Sequence, residues 1–163
     1  MKYLIGMDGG GTKTKCILTD FNLNPIYETG GAASNFLVIG TEKVAVTILE
    51  LIKDCIDSKN ISIDDLQAVV LGTTGGGRRN DAELLEKQIF AYAEQKSLKI
   101  NKFKVESDAR IALEGAFSGK SGSILIAGTG SIMFGKDNKG EIHRVGGFGR
   151  YIGDEGSGYR IGR

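Results

Sequence analysis

Short apolar runs recur along this chain, and several of them end at a cluster of glycines. Residues 3–8 (YLIGMD) predict a buried strand, and residues 14–20 (TKCILTD) predict a second strand directly after three glycines. A turn at residues 22–25, which hold the single proline, separates these strands from a third predicted strand at residues 26–31. The chain is therefore expected to open with an antiparallel meander.

The next stretch has the periodicity of a helix. Apolar residues over 41–58 recur at spacings of three and four, which predicts an amphipathic helix with Thr41 as its N-cap. An apolar strand at 68–72 then runs into the glycine turn TTGGGRRN, after which a second helix is predicted with Asn80 as its cap. Strand, glycine turn and helix form one structural unit.

The C-terminal part again contains an apolar strand that ends in a turn of glycine and threonine. Residues 102–108 predict a strand, residues 109–117 a helix, and residues 123–128 a further strand that ends in the turn GTGS. Residues 132–147 predict a hairpin around the turn DNKG, and the final stretch GDEGSGYRIGR begins like a helix. The chain thus twice forms an apolar strand, a turn of glycine and threonine, and a returning strand.

Composition restricts the classes of partner. Lysine and arginine number 21 and aspartate and glutamate 20, a net charge of +1, so no strong field points to nucleic acid or to an anionic membrane. No apolar run approaches the about 18 residues of a membrane span, and the start lacks the apolar stretch of a signal peptide. Cys16 and Cys55 have no metal-ligand spacing and suit a reducing compartment. We expect a soluble, cytoplasmic protein that acts on small molecules.

Glycine is the anomaly of the composition, with 25 of 163 residues where about 7% is usual. Successive backbone N–H groups exposed in a glycine turn form a concavity that binds anions, most often phosphate. The stretch IGMDGGGTKTKC at 5–16 fits neither a Walker loop nor a dinucleotide fingerprint, because both open a helix and a strand follows here. A tight hairpin turn and a hairpin that binds phosphate both remain open for this stretch.

Three motifs in this order resemble a known family. DGGGTKTK at 8–15, GTGS at 128–131 and GDEGS at 153–157 are similar to the signatures of the N-acetylglucosamine kinase-like branch of the BadF/BadG/BcrA/BcrD ATPase family. That family belongs to the superfamily of actin, hexokinase and the heat-shock chaperone ATPases. The resemblance implies an α/β fold: a ribonuclease H-like, actin-like ATPase domain with a mixed sheet, an N-terminal antiparallel meander and helices on both faces.

The resemblance also implies roles at the two glycine turns. It implies that ATP is the nucleotide and Mg²⁺ its metal ion, with Asp8 holding the hydrated magnesium. Lys13 and Lys15 beside the first turn are interpreted as solvated side chains. The residues implied to hold the ATP phosphates belong to the two turns: Gly10, Gly11, Thr12, Gly128, Thr129 and Gly130.

Asp108 resembles the family's catalytic base, which accepts the proton of a sugar hydroxyl as that oxygen attacks the γ-phosphoryl group. Its position between a predicted strand and a predicted helix equally suits a plain N-cap. Glu155, Arg78 and Arg79 have structural or solvated alternatives, and His143 is given no role. The resemblance assigns sugar binding to Asp108 itself and to residues of other stretches: Asn35, Thr74, Gly75, Gly147, Phe148, Gly149 and Asp154.

Three functions follow, and the first is favoured. A sugar kinase would use ATP to phosphorylate a hydroxyl of an amino sugar such as N-acetylglucosamine. An activator ATPase of the 2-hydroxyacyl-CoA dehydratase or benzoyl-CoA reductase type is the second, although Cys16 and Cys55 are poorly placed for the iron–sulfur cluster that such proteins hold. A non-catalytic nucleotide- or sugar-binding module is the third. The identity of the sugar and the oligomeric state stay open, with a homodimer as one alternative.

The resemblance sets an expectation for the natural protein. Members of this family have two domains of similar topology, with nucleotide and substrate in the cleft between them. Residues 1–163 are therefore expected to be the first domain, without most of the adenosine pocket. Because closure over the ligands assembles such a site, the 163-residue chain by itself is expected to have little kinase turnover.

Overall fold

The computed structural model describes residues 1–149 and 151–162. The chain divides into two compact units, Met1–Asp108 and Ala109–Arg163, each with a sheet of its own. Among the helices of the described residues, none combines the length and the apolar character that crossing a membrane requires.

The first unit is built on a five-stranded mixed sheet. Its strands follow the spatial order β3-β2-β1-β4-β5 and are β1 (Tyr3–Gly9), β2 (Lys13–Asp20), β3 (Pro25–Ala32), β4 (Leu66–Thr73) and β5 (Phe103–Glu106). The first three pair antiparallel, which confirms the predicted meander. The strands β1, β4 and β5 run parallel, so their carboxyl ends meet at one edge of the sheet. The predicted mixed α/β fold is confirmed.

Helices form the connections that parallel strands require. The helices α1 (Phe36–Ile39) and α2 (Thr41–Lys59) precede β4, and α3 (Arg79–Gln95) lies between β4 and β5. The helix α2 packs on β3 and on α3, and α3 packs on β5. The helix α1 has no counterpart among the predicted elements, since four residues are too few to show a helical period.

Both predicted helix caps are wrong. The helix α2 begins at Thr41, and Gly40, with φ +87°, occupies the cap position. The helix α3 begins at Arg79, one residue before Asn80, and Arg78 occupies the cap position without a side-chain hydrogen bond. Glycine is the residue that adopts a positive φ at no steric cost, so Gly40 both ends α1 and sets the start of α2.

The core of the first unit includes the apolar face of α2. The face predicted over 41–58 is confirmed, because Val44, Ile48, Leu51, Ile52 and Cys55 are buried and Ile56 is half-buried against them. The buried side chains that alternate along β1 and β2 also belong to the core. The helix α3 adds buried leucine, isoleucine and alanine side chains. This packing holds the strands whose ends carry the predicted site residues.

The second unit contains a three-stranded antiparallel sheet. Its strands pair in sequence order and are β6 (Gly122–Ala127), β7 (Ser131–Lys136) and β8 (Ile142–Gly146). The predicted hairpin around DNKG is confirmed, with the N–H of Asp137 donating to the carbonyl of Glu141 (3.0 Å). The helix α4 (Asp108–Phe117) precedes β6, and α5 (Gly158–Ile161) begins after the acidic residues of GDEGS. The hydroxyl of Ser157 caps α5.

Candidate active site

Several predicted site residues of the first unit gather where β1, β4 and β5 end. The turn at 10–12 follows β1, the turn at 74–78 follows β4, and Asp108 comes shortly after β5 as the first residue of α4. In α/β sheets, ligands bind outside the carboxyl ends of parallel strands. The fold therefore brings three stretches that are far apart in sequence to an edge suited to binding.

Hydrogen bonds connect the glycine turn after β1 to neighbouring segments of the first unit. The carbonyl of Gly10 accepts from the N–H of Ser34 (3.1 Å), and the carbonyl of Gly9 accepts from the N–H of Thr74 (3.3 Å). The hydroxyl of the buried Thr73 donates to the carbonyl of Ser34 (2.8 Å). The carbonyls of Gly9 and Gly10 thus accept from protein donors, which holds the start of the turn in place.

Among the described residues, one backbone N–H group of this turn has a hydrogen-bond partner and two have none. The N–H of Gly10 donates to the carbonyl of Lys13 (2.9 Å) and closes the hairpin. Gly11 and Thr12 are exposed, and within residues 1–149 and 151–162 no acceptor receives a hydrogen bond from either of their N–H groups. Two neighbouring donors at the exposed tip are therefore without a partner among the described residues, as an anion-binding turn requires.

The glycines of this turn differ in whether the fold needs them. A Cβ on the buried Gly9 would overlap the hydroxyl of Ser34, so glycine there is a packing requirement. A Cβ on Gly10 would meet only the carbonyl of Lys13, at an ordinary 3.5 Å, and one on Gly11 would meet nothing within 4 Å. Neither Gly10 nor Gly11 has a positive φ. The fold itself therefore gives no reason for glycine at these two positions.

Asp8, at the carboxyl end of β1, is the residue implied to hold magnesium. Its side chain is exposed, and no described residue of the chain hydrogen-bonds or pairs with its carboxylate. Carboxylate oxygens and water are the ligands that Mg²⁺ prefers. The donor chemistry at Asp8 therefore fits a hydrated magnesium ion beside the glycine turn.

Asp108 lies in the first turn of α4 and is exposed. The hydroxyl of Thr74 donates to its Oδ2 at 3.0 Å. Asp108 is the first residue of α4, one position inside the place of an N-cap residue. The negative charge is nevertheless favoured there by the helix dipole.

Asn35 and Gly75, both implied to contact the sugar, lie near this edge. Asn35 immediately precedes α1, and its Oδ1 is buried without a hydrogen-bond partner among the described residues. Gly75 has φ +98°, and a Cβ there would stand 2.9 Å from the side chain of Leu37. The orphaned oxygen of Asn35 is a group that a donor on a ligand would satisfy.

In the second unit, the GTGS turn joins β6 to β7. The N–H of Gly128 donates to the carbonyl of Gly130 (2.8 Å), and N–H groups at the start of α5 donate to the carbonyls of Gly128 (2.8 Å) and Thr129 (3.3 Å). A Cβ on Gly128 would meet nothing within 4 Å, whereas one on Gly130 would stand 2.8 Å from Oδ2 of Asp154. The packing of Asp154 therefore requires Gly130, and the fold leaves Gly128 unconstrained.

Two charged side chains hold the GFG loop after β8. Asp154 is 7% exposed, and its Oδ1 accepts from the N–H of Gly149 (3.2 Å). The guanidinium of Arg144 donates to the carbonyls of Gly147 and of the glycine before it, and lies 5.6 Å from the ring centroid of Phe148. Asp154 thus supports the main chain of the loop that is implied to line the sugar.

The remaining sequence candidates have simpler surroundings. Lys13 and Lys15 are exposed on one side of β2, as expected for solvated lysines. Arg79 pairs with Glu83 and Glu86 on its own helix, both at 2.8 Å, and these carboxylates raise the pKa of Arg79. His143 is exposed on the edge strand β8.

The two cysteines lie in the core of the first unit. Both are free and buried, and their Sγ atoms are 3.5 Å apart. The hydrogen bond between them and their burial raise the pKa of Cys16. Buried thiols act as small apolar residues and do not reach a surface where a cluster shared between subunits would be bound.

Sequence reasoning missed Ser34 and Thr73. Both are fully buried polar residues, and Ser34 contacts the glycine turn through its backbone and through its hydroxyl, which has no hydrogen-bond partner among the described residues. The signal that could have drawn attention to them is their polarity beside apolar strand and helix patterns, since a buried hydroxyl needs a partner.

The sequence of this chain matches a known protein family. The family model described as the BadF/BadG/BcrA/BcrD ATPase family matches residues 5–163, a range that contains both glycine turns and the GDEGS motif.

Relatives match along nearly the whole chain. The N-acetylmuramic acid/N-acetylglucosamine kinase of Clostridium acetobutylicum is 37% identical over 162 residues, which are 99% of this chain and 51% of that protein. The N-acetyl-D-glucosamine kinase of Dictyostelium discoideum is 34% identical over 169 residues, with 99% and 52% covered. The chain therefore spans about half the length of these relatives.

A solved structure supports the same assignment. The crystal structure of a protein provisionally named as an N-acetylglucosamine kinase, from Chromobacterium violaceum, has a TM-score of 0.72 at 29% identity and covers 99% of this chain and 54% of its own. The expected ribonuclease H-like, actin-like ATPase fold is thereby confirmed. Because the family match, the fold and the ordered glycine turns agree, this chain belongs to the BadF/BadG/BcrA/BcrD ATPase family.

Proposed function

We propose that the protein to which this chain belongs transfers the γ-phosphoryl group of ATP to a hydroxyl of an amino sugar, N-acetylglucosamine or a closely related compound. The observation that carries the proposal is the exposed tip of the turn after β1, where the N–H groups of Gly11 and Thr12 lack a partner among the described residues and the fold does not require glycine at positions 10 and 11. Two relatives whose alignments cover 99% of this chain are named as kinases of such sugars.

In this proposal the two glycine turns bind the phosphate oxygens of ATP. Gly11 and Thr12 donate from the first turn, where Gly10 keeps the backbone accessible. The second turn contributes through the N–H groups of Thr129 and Gly130, while Gly128, whose N–H closes the turn, keeps the backbone accessible. Backbone N–H groups suit this task because they are held in fixed directions and lose no side-chain entropy on binding.

Asp8 would hold a hydrated Mg²⁺ ion through its carboxylate. When bound, the ion would neutralise part of the negative charge of the phosphate groups. The exposed position of Asp8 at the end of β1, one residue before the glycine run, supports this assignment.

Asp108 would accept the proton of the attacking sugar hydroxyl. Phosphoryl transfer has a loose transition state in most analyses, so positioning and charge stabilisation contribute more than the strength of the base. An exposed carboxylate at the carboxyl edge of the parallel strands, with one oxygen held by a hydrogen bond, meets that requirement.

Sugar recognition is assigned to several of the residues predicted from the sequence. Asn35 offers a buried Oδ1 that lacks a partner among the described residues, and a sugar hydroxyl or amide N–H would satisfy it. Gly75 and the main chain of Gly147, Phe148 and Gly149 would line the sugar, while Asp154 would bind sugar hydroxyls in addition to supporting its loop.

We further propose that residues 1–163 form the first of two domains in the natural protein, in accord with the half-length match to its relatives. The free, buried thiols of Cys16 and Cys55 suit a reducing cytoplasm as its compartment.

Gly11→Ala separates phosphate binding from a purely structural turn. The added Cβ enters open space at an ordinary φ, so the free energy of unfolding should stay equal or rise slightly. The same Cβ would obstruct a phosphate at the backbone, and a lost charge-assisted hydrogen bond corresponds to about a 10- to 100-fold loss of affinity. We therefore expect the KM for ATP to rise about tenfold or more.

The measurement uses the intact gene product, with ADP release followed in the presence of N-acetylglucosamine and of a panel of other sugars. Gly115→Ala is the matched control, since Gly115 is an exposed glycine of α4 where an added Cβ would likewise meet nothing within 4 Å. The control should leave the KM for ATP unchanged. An unchanged KM for ATP in Gly11→Ala would assign this turn a structural role only, and absence of sugar-dependent ADP release would refute the kinase proposal.

A further inference from the structure

Thr74 and Asp108 meet through their side chains. The two residues are 34 positions apart in sequence, and the hydroxyl of Thr74 donates to Oδ2 of Asp108 at 3.0 Å. They come together because β4 and β5 are parallel neighbours, with Gly72 opposite Glu106 at their carboxyl ends. The contact is therefore a product of the sheet topology.

The chemistry of the two groups decides which one donates. An ionised carboxylate only accepts hydrogen bonds, whereas a threonine hydroxyl has a single proton to give. In the observed geometry that proton is committed to Asp108. Toward any other partner the hydroxyl of Thr74 can then only accept, so it has no proton left to donate to a sugar oxygen.

A hydrogen bond of this kind restricts the rotation of the carboxylate. The terminal torsion of an aspartate side chain is broad and roughly two-fold, so the carboxylate plane is poorly defined unless an oxygen is held. Holding Oδ2 sets the plane and thereby the position of Oδ1. In a reaction that depends on placing a proton acceptor, this restriction is an advantage.

Thr74 is itself held in place from several directions. Its χ1 is stiff because it is β-branched, and its N–H donates to the carbonyl of Gly9 (3.3 Å). Two residues further on, a Cβ on Gly76 would overlap the carbonyl of Glu106, so the turn after β4 packs directly on the backbone that leads to Asp108. Thr74 thus connects the turn after β1 with the carboxylate at the start of α4.

We propose that Thr74 is a positioning residue, which orients the carboxylate of Asp108 relative to the glycine turn after β1 and does not bind the sugar. This inference rests on the proposed sugar kinase function for its consequence in turnover. It replaces the sugar contact that the family resemblance implies for Thr74. Loss of the Thr74 hydroxyl is therefore expected to slow the chemical step, because this hydroxyl orients the group that accepts the proton.

The test compares variants of Thr74 in the intact gene product. Thr74→Val keeps the shape and removes the donor, and we expect kcat to fall about 10- to 100-fold, as for a lost hydrogen bond to a charged group, with the KM values for sugar and ATP within about threefold. Thr74→Ser restores the hydroxyl and should recover most of kcat. Thr74→Ala is the second donor-free variant should valine disturb the exposed turn, and Thr41→Val is the matched control outside the site.

The outcomes separate a positioning role from a binding role. A raised KM for the sugar with unchanged kcat in Thr74→Val would identify Thr74 as a sugar contact and overturn the inference. Equal loss of kcat in Thr74→Ser and Thr74→Val would overturn it as well.

A measurement without turnover keeps this inference distinct from the proposed function. The carboxyl ¹³C signal of Asp108, assigned by its absence in Asp108→Asn, should shift in Thr74→Val and keep its position in Thr74→Ser. An unmoved signal in Thr74→Val overturns the inference, even in a protein that phosphorylates no sugar. If the signal shifts while the wild-type protein shows no sugar-dependent ADP release, the kinase proposal fails. The inference that Thr74 orients the carboxylate of Asp108 is then still supported.

Discussion

Asp108→Asn is expected to lower kcat for sugar phosphorylation about a thousandfold, within the range that general acid–base catalysis contributes. The amide keeps the size of the side chain and an oxygen that can accept from Thr74, so the contact at 3.0 Å is retained. What is lost is the capacity to take a proton and the negative charge near the attacking hydroxyl. The measurement is ADP release by the intact gene product at saturating sugar and ATP, together with thermal unfolding to show that the fold is intact.

Asp81→Asn is the matched control for this experiment. Asp81 lies in the first turn of α3, as Asp108 lies in the first turn of α4. Both substitutions remove a favourable charge from a helix N-terminus, which is worth about 0.3–1 kcal/mol. Only Asp108→Asn should affect turnover. Near wild-type kcat in folded Asp108→Asn would remove Asp108 from the chemistry and leave it the role of a helix-start residue.

Leu85→Ala is expected to lower the free energy of unfolding by about 2–5 kcal/mol, as for a large-to-small change in a packed core. Leu85 has no exposed surface and belongs to the apolar cluster that α3 shares with α2 and the sheet. The lost transfer free energy and the cavity left behind act in the same direction. Chemical denaturation followed by far-UV circular dichroism measures the change.

The neighbouring residue provides the control for the core substitution. Leu84 is on the same helix and 60% exposed, so Leu84→Ala makes the same chemical change with little loss of burial. Its effect should stay within about 0.5 kcal/mol. Equal destabilisation by the two substitutions would show that α3 does not pack in the way described, and would remove the support beneath the turn at 74–78.

The elements of the fold were predictable wherever the signal is local. Short apolar runs and helical spacing identified all five strands of the first sheet and the buried face of α2, because each signal lies within one element. The caps failed for the opposite reason. Whether Gly40 or Thr41 starts α2 depends on a positive φ at a single residue, which composition alone does not reveal.

The candidate site was predictable as a set of segments but not as an arrangement. The turns at 10–12 and 128–130 stand out by composition and family resemblance, as does Asp108 by its motif position. The partners of these groups were not visible, because Ser34 and Thr74 reach them through contacts between residues distant in sequence. The roles of the site residues stay predictions that the substitutions above would test.

By itself, the sequence determined the order of strands and helices, the positions of the glycine turns and membership of an ATPase family, since these depend on local pattern and motif order. Only the tertiary structure decided that β4 lies beside β1 and β5, which places Thr74 against Asp108. It also decided that packing requires Gly9 and leaves Gly11 open. The physical reason is that a local period specifies which face of an element is buried but not which element covers it.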